Sequence, residues 1–471
     1  MQPASPLPET AILRLGDPFY DPVRPAAFPR HILRFRNQDW AARVGLDGLD
    51  DQAWIDHFGR FKPLPGSLPE PLALRYHGHQ FRTYNPDIGD GRGFLHAQLR
   101  DLADGRLLDL GTKGSGQTPY SRFGDGRLTL KGGMREVLAT EMLEALGVYT
   151  SKSFSLIETG EALERNDEPS PTRSAVLVRL SHSHIRYGTF QRLAFHAEQD
   201  AMARLVDYCL LHLLDRTADG ALEDRVARFL DAVVANAARL VASYMAAGFV
   251  HGVLNTDNIN ITGESFDYGP YRFTPRLDPN FTAAYFDHHG LYSFGRQPEA
   301  LHWNLYQLAK ALLLIVDRAA LVPALETFPA RFESAMVVAV CARLGVAPAA
   351  AHAENIATLT AIDAALAETG LPPDRFYFDW RGGALSRGRA AASPAAAAYA
   401  SAPFQAALDR LLALEPVVAL DDHPYWADSA PCSLLIDEVE ALWAAIDRAD
   451  DWSPFEAKIA AIRRMGAAFS G

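Results

Sequence analysis

Three polar residues near the middle of the chain have the spacing of a kinase catalytic loop. His251 is followed by Asn258 in the same loop, and Asp267-Tyr268-Gly269 comes on the next turn. Kinase-like loops read His-[Arg or Gly]-Asp-x-x-x-x-Asn and then Asp-x-Gly, in which the Asn and the second Asp hold Mg²⁺. The spacing therefore predicts a site for a metal-bound nucleotide, with Asn258 and Asp267 as the metal ligands.

One position of this loop departs from the kinase pattern. Val253 stands where a kinase has the Asp that accepts the proton of the substrate hydroxyl. A branched apolar side chain can neither accept a proton nor orient a nucleophile, which argues against ordinary transfer of the γ-phosphate. Asp257, adjacent to Asn258, is the nearest carboxylate that could take this role.

A lysine and a glutamate upstream have the order of the kinase pair that binds nucleotide phosphates. Lys113 ends a β-like run, and Glu136 lies on the helix predicted to follow it. In kinases, a strand lysine paired with a helix glutamate places a cation on the phosphates. An exposed lysine at the end of a strand is an equally good interpretation of Lys113 from the sequence.

Glycine-rich segments and two arginines complete the candidate set. The segment 89–93, Gly-Asp-Gly-Arg-Gly, could let backbone amides approach a phosphate, but taken alone a tight turn between strands is the better interpretation. Arg179 and Arg186 stand at the junction of the β-like and helical halves. They could clamp phosphate oxygens by bidentate hydrogen bonds, or form salt bridges between two lobes.

The elements that must position these residues change from β-like to helical along the chain. Short apolar runs bounded by Gly and Asp predict strands at 93–100, 106–114, 127–130, 153–159 and 174–180. Apolar residues at helical spacing predict helices at 133–146, 224–248 and 299–317. The catalytic loop lies between the last two helices.

This order of signals predicts an α+β protein with a bilobal, protein-kinase-like fold. We expect a β-rich N-lobe over 71–190 and a helical C-lobe over 191–385 that carries the catalytic and metal loops. Residues 1–70, rich in Pro and aromatic residues, are predicted to form an irregular extension packed on this core. Residues 386–403 are predicted to be an Ala-rich linker, and the rest of 386–471 a C-terminal helical segment.

Composition excludes several classes of protein. The 471 residues are 48% hydrophobic and 22% charged, as in folded globular proteins, and the net charge of −12 leaves no overall basic surface for nucleic acid or anionic lipid. Three widely separated cysteines show neither a disulfide framework nor zinc-site spacing. The N-terminal sequence lacks a signal-peptide pattern, so we expect a cytoplasmic protein with no membrane or nucleic-acid partner.

Six longer segments resemble one known family, the selenoprotein O or YdiU-like protein adenylyltransferases. They are HGHQFRTYNPDIGDGRG, KGSGQTPYSRFGDGR, MREVLATEMLEALGV, HIRYGTF, GFVHGVLNTDNINITGESFDYGP and DHHGLYSFGRQPEALHWNL, between about residues 74 and 312. The resemblance implies a pseudokinase fold that binds ATP in a flipped orientation. It also implies transfer of AMP to Ser, Thr or Tyr hydroxyls of proteins, with release of pyrophosphate.

The resemblance assigns roles to individual residues. It implies that Asp257 accepts the proton, that Asn258 and Asp267 hold Mg²⁺ or Mn²⁺, and that Glu136 pairs with Lys113. The residues that it implies for nucleotide binding, besides Asp267, are Gly89, Gly91, Arg92, Lys113, Asp125, Gly126, Arg179 and Arg186. A reversed nucleotide also explains Val253, because the attacked phosphorus then lies elsewhere and a base at that position is not needed.

The chain departs from the family pattern in two places. Arg82 stands where family members usually have Gly, and the chain ends in AAFSG without the terminal Cys or selenocysteine motif of many members. Two alternative functions stay open at this point. One is a kinase-like phosphotransferase that uses the γ-phosphate, and the other is a nucleotide-binding scaffold without catalysis.

Overall fold

Apolar runs in the first 181 residues form one large antiparallel sheet in a computed structural model of the chain, which describes residues 5–166, 168–418 and 423–470. The first four residues of the predicted N-terminal extension, and residues 419–422 and 471 of the predicted C-terminal segment, lie outside this range. The strands are β1 Pro8–Glu9, β2 Tyr20–Pro22, β3 Ile32–Arg36, β4 Leu72–Leu74, β5 Gly78–Gln80, β6 Thr83–Asn85, β7 Leu95–Arg100, β8 Leu107–Lys113, β9 Leu128–Thr129, β10 Lys152–Leu163, β11 Thr172–Ser181, β12 Phe249–Val250 and β13 Arg272–Phe273.

The large sheet has the strand order β2-β4-β7-β8-β11-β10-β3, with β1 added to β7 and β9 to β11. The remaining strands form two short hairpin-like pairs, β5 with β6 and β12 with β13. In the central pair, Leu177 lies opposite Lys113, and Arg179 lies opposite Gly111. Since side chains two residues apart point to the same face of a strand, this register places Lys113 and Arg179 on one face of adjacent strands.

The N-terminal segment differs from the irregular arm that its composition predicted. Strands β1, β2 and β3 all belong to the sheet, and β2 and β3 form its two edges. Phe19 and Ile12 of this segment are buried in the main apolar core. Strands of two to five residues contain too few alternating positions to show a period, which is why the sequence pattern missed them.

Helices make up most of the remaining chain. They are α1 Gln38–Arg43, α2 Asp51–Phe58, α3 Leu130–Ala145, α4 Tyr187–Phe195, α5 Gln199–His212, α6 Leu222–Ala247, α7 Gln297–Leu312, α8 Val322–Glu326, α9 Phe328–Leu344, α10 His352–Thr369, α11 Pro373–Trp380, α12 Arg387–Ala392, α13 Ala396–Tyr399, α14 Ala402–Leu411, α15 Ile436–Ala449 and α16 Ser453–Ser470. The three predicted helices correspond to α3, α6 and α7, with ends displaced by one to five residues. The architecture is therefore α+β, as predicted.

Local signals explain where the two most important helices begin and end. The hydroxyl of Thr129 accepts a hydrogen bond from the backbone N–H of Gly132 and caps the start of α3, three residues before the predicted start. Helix α6 ends at Gly248, whose φ of 65° lies in the left-handed region that favours glycine. Helix α6 has the length and hydropathy of a membrane span, but 61% of that window is buried inside the protein.

The predicted Ala-rich linker is wrong as a description of residues 386–403. This stretch forms α12, α13 and the start of α14, and it buries Ala390 and Tyr399 in an apolar cluster with Phe404. Alanine has the highest intrinsic helix propensity, so a low-complexity composition of this kind is compatible with short packed helices. The low sequence complexity was a misleading signal.

Candidate active site

A cleft of about 760 Å³ brings together nearly all of the predicted site residues. The predicted residues that line it are Gly89, Gly91, Arg92, Lys113, Asp125, Gly126, Arg179, Arg186, Asp257 and Asp267. Glu136 and Asn258 are not on the lining. Among the described residues, seven cationic and five acidic side chains face the cleft, although the whole chain has a net charge of −12. The local charge thus differs in sign from the overall charge.

The predicted contact between Lys113 and Glu136 is present at the inner end of the cleft. Lys113 Nζ donates hydrogen bonds to Glu136 Oε1 and to Asp267 Oδ1, and the side chains of Lys113 and Glu136 are both almost fully buried. Strand β8 supplies the lysine, helix α3 the glutamate, and the loop after the 3₁₀ turn Thr256–Asn258 the aspartate. This excludes the interpretation of Lys113 as an exposed lysine at the end of a strand.

Arg179 and Arg186 lie beside this cluster and are buried. Arg179 Nη1 lies 3.6 Å from Asp267 Oδ1, while Arg186 donates to the backbone carbonyl of Asp257 at 3.0 Å and to Asp90 Oδ1 at 3.3 Å. Within the described part of the chain, Nε and Nη1 of Arg179 and Nε of Arg186 have no hydrogen-bond acceptor. Buried guanidinium donors without acceptors are costly, so these arginines have capacity for an anion that internal salt bridges do not use.

Asp267 is held as a carboxylate by the surrounding cations. Burial opposes its ionisation, but the charges of Lys113 and Arg179 outweigh that effect and hold the pKa of Asp267 well below its usual range. Its φ of 65° lies in the left-handed region, which is uncommon outside glycine. His251 lies behind this turn, with Nε2 2.9 Å from the carbonyl oxygen of Phe266, the residue before Asp267.

Asp257 lies on a short 3₁₀ turn and is covered by the β5–β6 hairpin. Gln80 Nε2 donates to Asp257 Oδ2 at 3.4 Å, and Thr256 Oγ1 accepts from the backbone N–H of His79 at 2.7 Å. A Cβ atom at Gly78 would lie 2.9 Å from Asp257 Oδ1, so the close approach requires glycine. Burial raises the pKa of Asp257 to about 6, with the charge of Arg186 acting against it. This carboxylate can therefore exchange a proton near neutral pH.

The donor atoms of Asn258 and Asp267 suit a hard divalent cation. Asn258 Nδ2 donates to the carbonyl of Val253 at 3.0 Å, so the amide oxygen is left as an acceptor. No group of three or more His, Cys, Asp or Glu side chains with metal-site geometry occurs in the described ranges. Mg²⁺ typically takes one or two protein oxygens and completes its shell with water and phosphate oxygens, so this pair fits a cation that arrives with a nucleotide.

The two glycine-rich segments pack against each other and form the outer wall of the cleft. A Cβ atom at Gly89 would lie 2.5 Å from the ring of Tyr120. The hydroxyl of Thr118 donates to the carbonyl of Asp90, and that of Ser121 to the carbonyl of Gly91. Close packing of the two loops is thus one physical reason for glycine at positions 89 and 91. This agrees with the interpretation of residues 89–93 as a tight turn.

Comparison with known proteins agrees with this geometry. A sequence profile of the family described as protein adenylyltransferase SelO matches residues 7–463. The chain belongs to the protein adenylyltransferase SelO family. It is 46% identical over 470 residues to the protein nucleotidyltransferase YdiU of Gloeobacter violaceus, covering 97% of this chain and 95% of that protein. It is 50% identical over 341 residues to the YdiU protein of Synechocystis, covering 72% and 70%, and 53% identical over 328 residues to that of Trichodesmium erythraeum, covering 68% of each.

The SelO family match extends well beyond the motifs that first suggested it. Those motifs end near residue 312, whereas the profile continues through the C-terminal helices to residue 463. At Arg82, φ is 63°, a conformation that glycine adopts without strain and that is uncommon for other residues. Here Arg82 is held by an ion pair with Glu299 at 2.8 Å and by its position over the ring of Trp303.

Several residues around the cleft were missed from the sequence. Gln80 contacts Asp257, Asp90 contacts Arg186, and Tyr76 lies with its ring 4.3 Å from the Arg186 guanidinium. Asp90 stands inside the Gly-Asp-Gly-Arg-Gly segment, which was a usable signal. No sequence spacing connects Gln80 or Tyr76 with partners that lie more than a hundred positions later, because only the tertiary fold brings them together.

Proposed function

We propose that the chain transfers AMP from ATP to Ser, Thr or Tyr hydroxyls of proteins and releases pyrophosphate. Membership of the SelO family and relatives named protein nucleotidyltransferase support this reaction class. The observation that carries the proposal within the structure is the buried set Lys113, Arg179 and Arg186, which lies in one cleft with Asp257 and in which both arginines keep guanidinium donors without acceptors. The γ-phosphotransferase alternative lacks support, because Val253 offers no carboxylate at the kinase position.

In this mechanism, Asp257 accepts the proton of the acceptor hydroxyl. The hydroxyl oxygen forms a bond to the α-phosphorus, and the bond from that phosphorus to the oxygen bridging the α- and β-phosphates breaks, so that pyrophosphate leaves with the electron pair. Lys113, Arg179 and Arg186 stabilise the charge that develops on the phosphate oxygens. Glu136 positions Lys113, and Arg92 is the more exposed cation whose charge also acts on Asp267.

The same proposal assigns roles to the remaining predicted residues. Asn258 and Asp267 would hold Mg²⁺ or Mn²⁺, which would polarise phosphate oxygens when bound. Gly89, Gly91 and Gly126 would let the outer wall approach the nucleotide. Asp125 is exposed at the rim, where Arg165 donates to its carboxylate at 2.8 Å, so any contact with the nucleotide involves this ion pair.

We also propose that the fold is a bilobal, kinase-like one with the ATP site between the lobes. The sheet with α3 would form the N-lobe, and the part from α4 to α11 the helical C-lobe, with the N- and C-terminal segments as extensions. ATP and protein substrates are the proposed partners, with neither nucleic acid nor membrane, and the proposed compartment is the cytoplasm.

The experiment that tests the reaction compares two radioactive labels. The purified chain is incubated with Mn²⁺ or Mg²⁺ and either [α-³²P]ATP or [γ-³²P]ATP, alone and with acceptor proteins. We expect protein-bound label from the α-phosphate only, and a mass gain of about 329 Da, one AMP unit, on each modified protein.

Matched variants make the outcome specific. Asp267→Asn should abolish labelling, whereas Asp231→Asn, which removes an exposed partner of Arg331 outside the cleft, should leave it unchanged. Protein label from the γ-phosphate would show a kinase. Nucleotide binding without any label, across several acceptor proteins, would show a scaffold.

A further inference from the structure

Phe123 is an apolar side chain that the proposed reaction does not use. It lines the cleft, and its ring is fully exposed to solvent, the most exposed of the large apolar side chains in the described residues. Covering an exposed phenyl ring removes apolar surface from water and is therefore favourable. The position of Phe123 at the mouth of a cleft places it where a bound ligand could cover it.

The turn that carries Phe123 is a fixed part of the cleft wall. The backbone N–H of Gly124 donates to the carbonyl of Ser121 at 2.7 Å, which closes a tight turn with Arg122 and Phe123 at its tip. Arg122 has a φ of 52°, in the left-handed region where non-glycine residues are uncommon. Since Ser121 is also bonded to the carbonyl of Gly91, the turn is anchored on the other glycine-rich segment.

The distribution of charge in the cleft determines which end receives the phosphates. Lys113, Arg179 and Arg186 are buried at the inner end, around Asp267. A triphosphate gains most where cations are buried and incompletely paired. A nucleotide whose phosphates occupy that end extends outward, toward the wall formed by residues 120–126, which line the same cleft.

We propose that Phe123 stacks on the purine base of the bound nucleotide and forms the outer face of the base site. The proposal rests on the proposed function and names the side chain that holds the base. Aromatic stacking needs only a flat π-face, so the contact favours purines over smaller bases without reading their hydrogen-bonding edges. The alternative occupant of Phe123, a segment of the protein substrate, is an outcome of the test below.

The test compares a ligand that has a base with a ligand that has only phosphates. Isothermal titration calorimetry with Mg²⁺ compares α,β-methylene-ATP, which cannot donate AMP, with inorganic tripolyphosphate, which has no base. Phe123→Ala should weaken binding of α,β-methylene-ATP about tenfold and leave tripolyphosphate unchanged. Phe123→Trp should restore the affinity. The matched control is Leu211→Ala, which removes an exposed apolar side chain of α5 outside the cleft.

Other results would contradict the stacking role. Equal affinity of wild type and Phe123→Ala for α,β-methylene-ATP overturns it, and so does an equal loss for both ligands, which indicates a distorted loop. A rise in KM for the acceptor protein with unchanged nucleotide affinity assigns Phe123 to substrate docking instead. These results are distinct from failure of the proposed function, which appears as absence of α-phosphate label with the wild-type protein.

Discussion

Helix α3 takes part in two clusters of charged residues that are built differently. Toward the cleft, Glu136 pairs with Lys113, and the arginines beside them keep donors without acceptors. On the side that faces the C-terminal helix α16, Glu141 accepts two hydrogen bonds from Arg463, at 2.7 and 2.8 Å. In the second cluster, two arginine donors meet the two carboxylate oxygens of Glu141. In the first cluster, some arginine donors have no acceptor.

The difference shows how to distinguish structural charges from charges that bind a ligand. A pair whose donors and acceptors are matched fixes one element on another, as Arg463 of α16 does through the buried Glu141 of α3. A buried arginine cannot relieve its cost by losing a proton, because its pKa stays above about 12 in proteins. Two unused donors on one buried arginine that lines a cleft therefore point to an anionic ligand, and among the described residues Arg179 is the clearest case.

Among the variants that test the difference between the two clusters, Arg179→Met should have the largest effect. Transfer of AMP should fall by about 10²–10³-fold, because one cation that stabilises the transition state is lost. The free energy of unfolding should stay the same or rise, since an incompletely paired buried cation is replaced by an apolar side chain of similar length. Labelling from [α-³²P]ATP and urea unfolding measure the two quantities. A loss of more than about 2 kcal/mol in stability with full activity would place Arg179 among the structural charges.

The next largest effect is expected on the pH dependence of protein stability. It comes from Glu264, a buried acid outside the cleft. Glu264 accepts a hydrogen bond from the backbone N–H of His182 at 2.8 Å, and burial raises its pKa to about 8. Because the folded pKa exceeds the usual value of 4.5, the folded state holds the proton longer than the unfolded state. This group therefore makes the protein less stable as pH rises from about 4.5 to 8, by up to about 1.4 kcal/mol per pH unit.

Glu264→Gln removes that titration and keeps a hydrogen-bond acceptor. The variant should be more stable than wild type at pH 8 and should show a flatter dependence of unfolding free energy on pH between 6 and 8. Denaturant unfolding at several pH values measures this. Parallel curves for the two proteins would show that Glu264 is ionised in the folded state and would contradict the prediction that it is protonated there below about pH 8.

The smallest effect is expected on the free energy of unfolding when the contact between Arg463 of α16 and Glu141 of α3 is removed. Arg463→Met should lower the free energy of unfolding by about 1–2 kcal/mol, because Glu141 is buried and loses its bidentate partner. AMP transfer should change by less than about threefold, since Arg463 does not line the cleft. Arg464→Met is the matched control. Its arginine is similarly exposed, but its partner Asp428 is more exposed than Glu141, so the loss should stay below about 1 kcal/mol. Equal losses of stability in the two variants would contradict the expectation that the buried partner makes the Arg463 contact the more stabilising one.

Much of the cleft was predictable from short motifs. The order of Lys113, Glu136 and the catalytic loop indicated which residues meet, and the structure shows Lys113 in contact with both Glu136 and Asp267. These residues lie at strand ends, on an amphipathic helix and in a polar loop, each of which has a local sequence signal. The roles proposed for them in catalysis stay predictions until the labelling experiment is done.

The α+β class, the principal helices and the residues of the candidate site could be predicted from the amino-acid sequence, because periodicity and glycine punctuation are local properties. The tertiary structure was needed to show that the N-terminal segment supplies both edges of the sheet and that residues 386–403 are packed helices. The tertiary structure also shows which charges are paired, such as Glu141 with Arg463, which are far apart in the sequence. It shows as well which donors of Arg179 have no acceptor. Pairing depends on distance and burial in the folded chain, and no local pattern of residues encodes either.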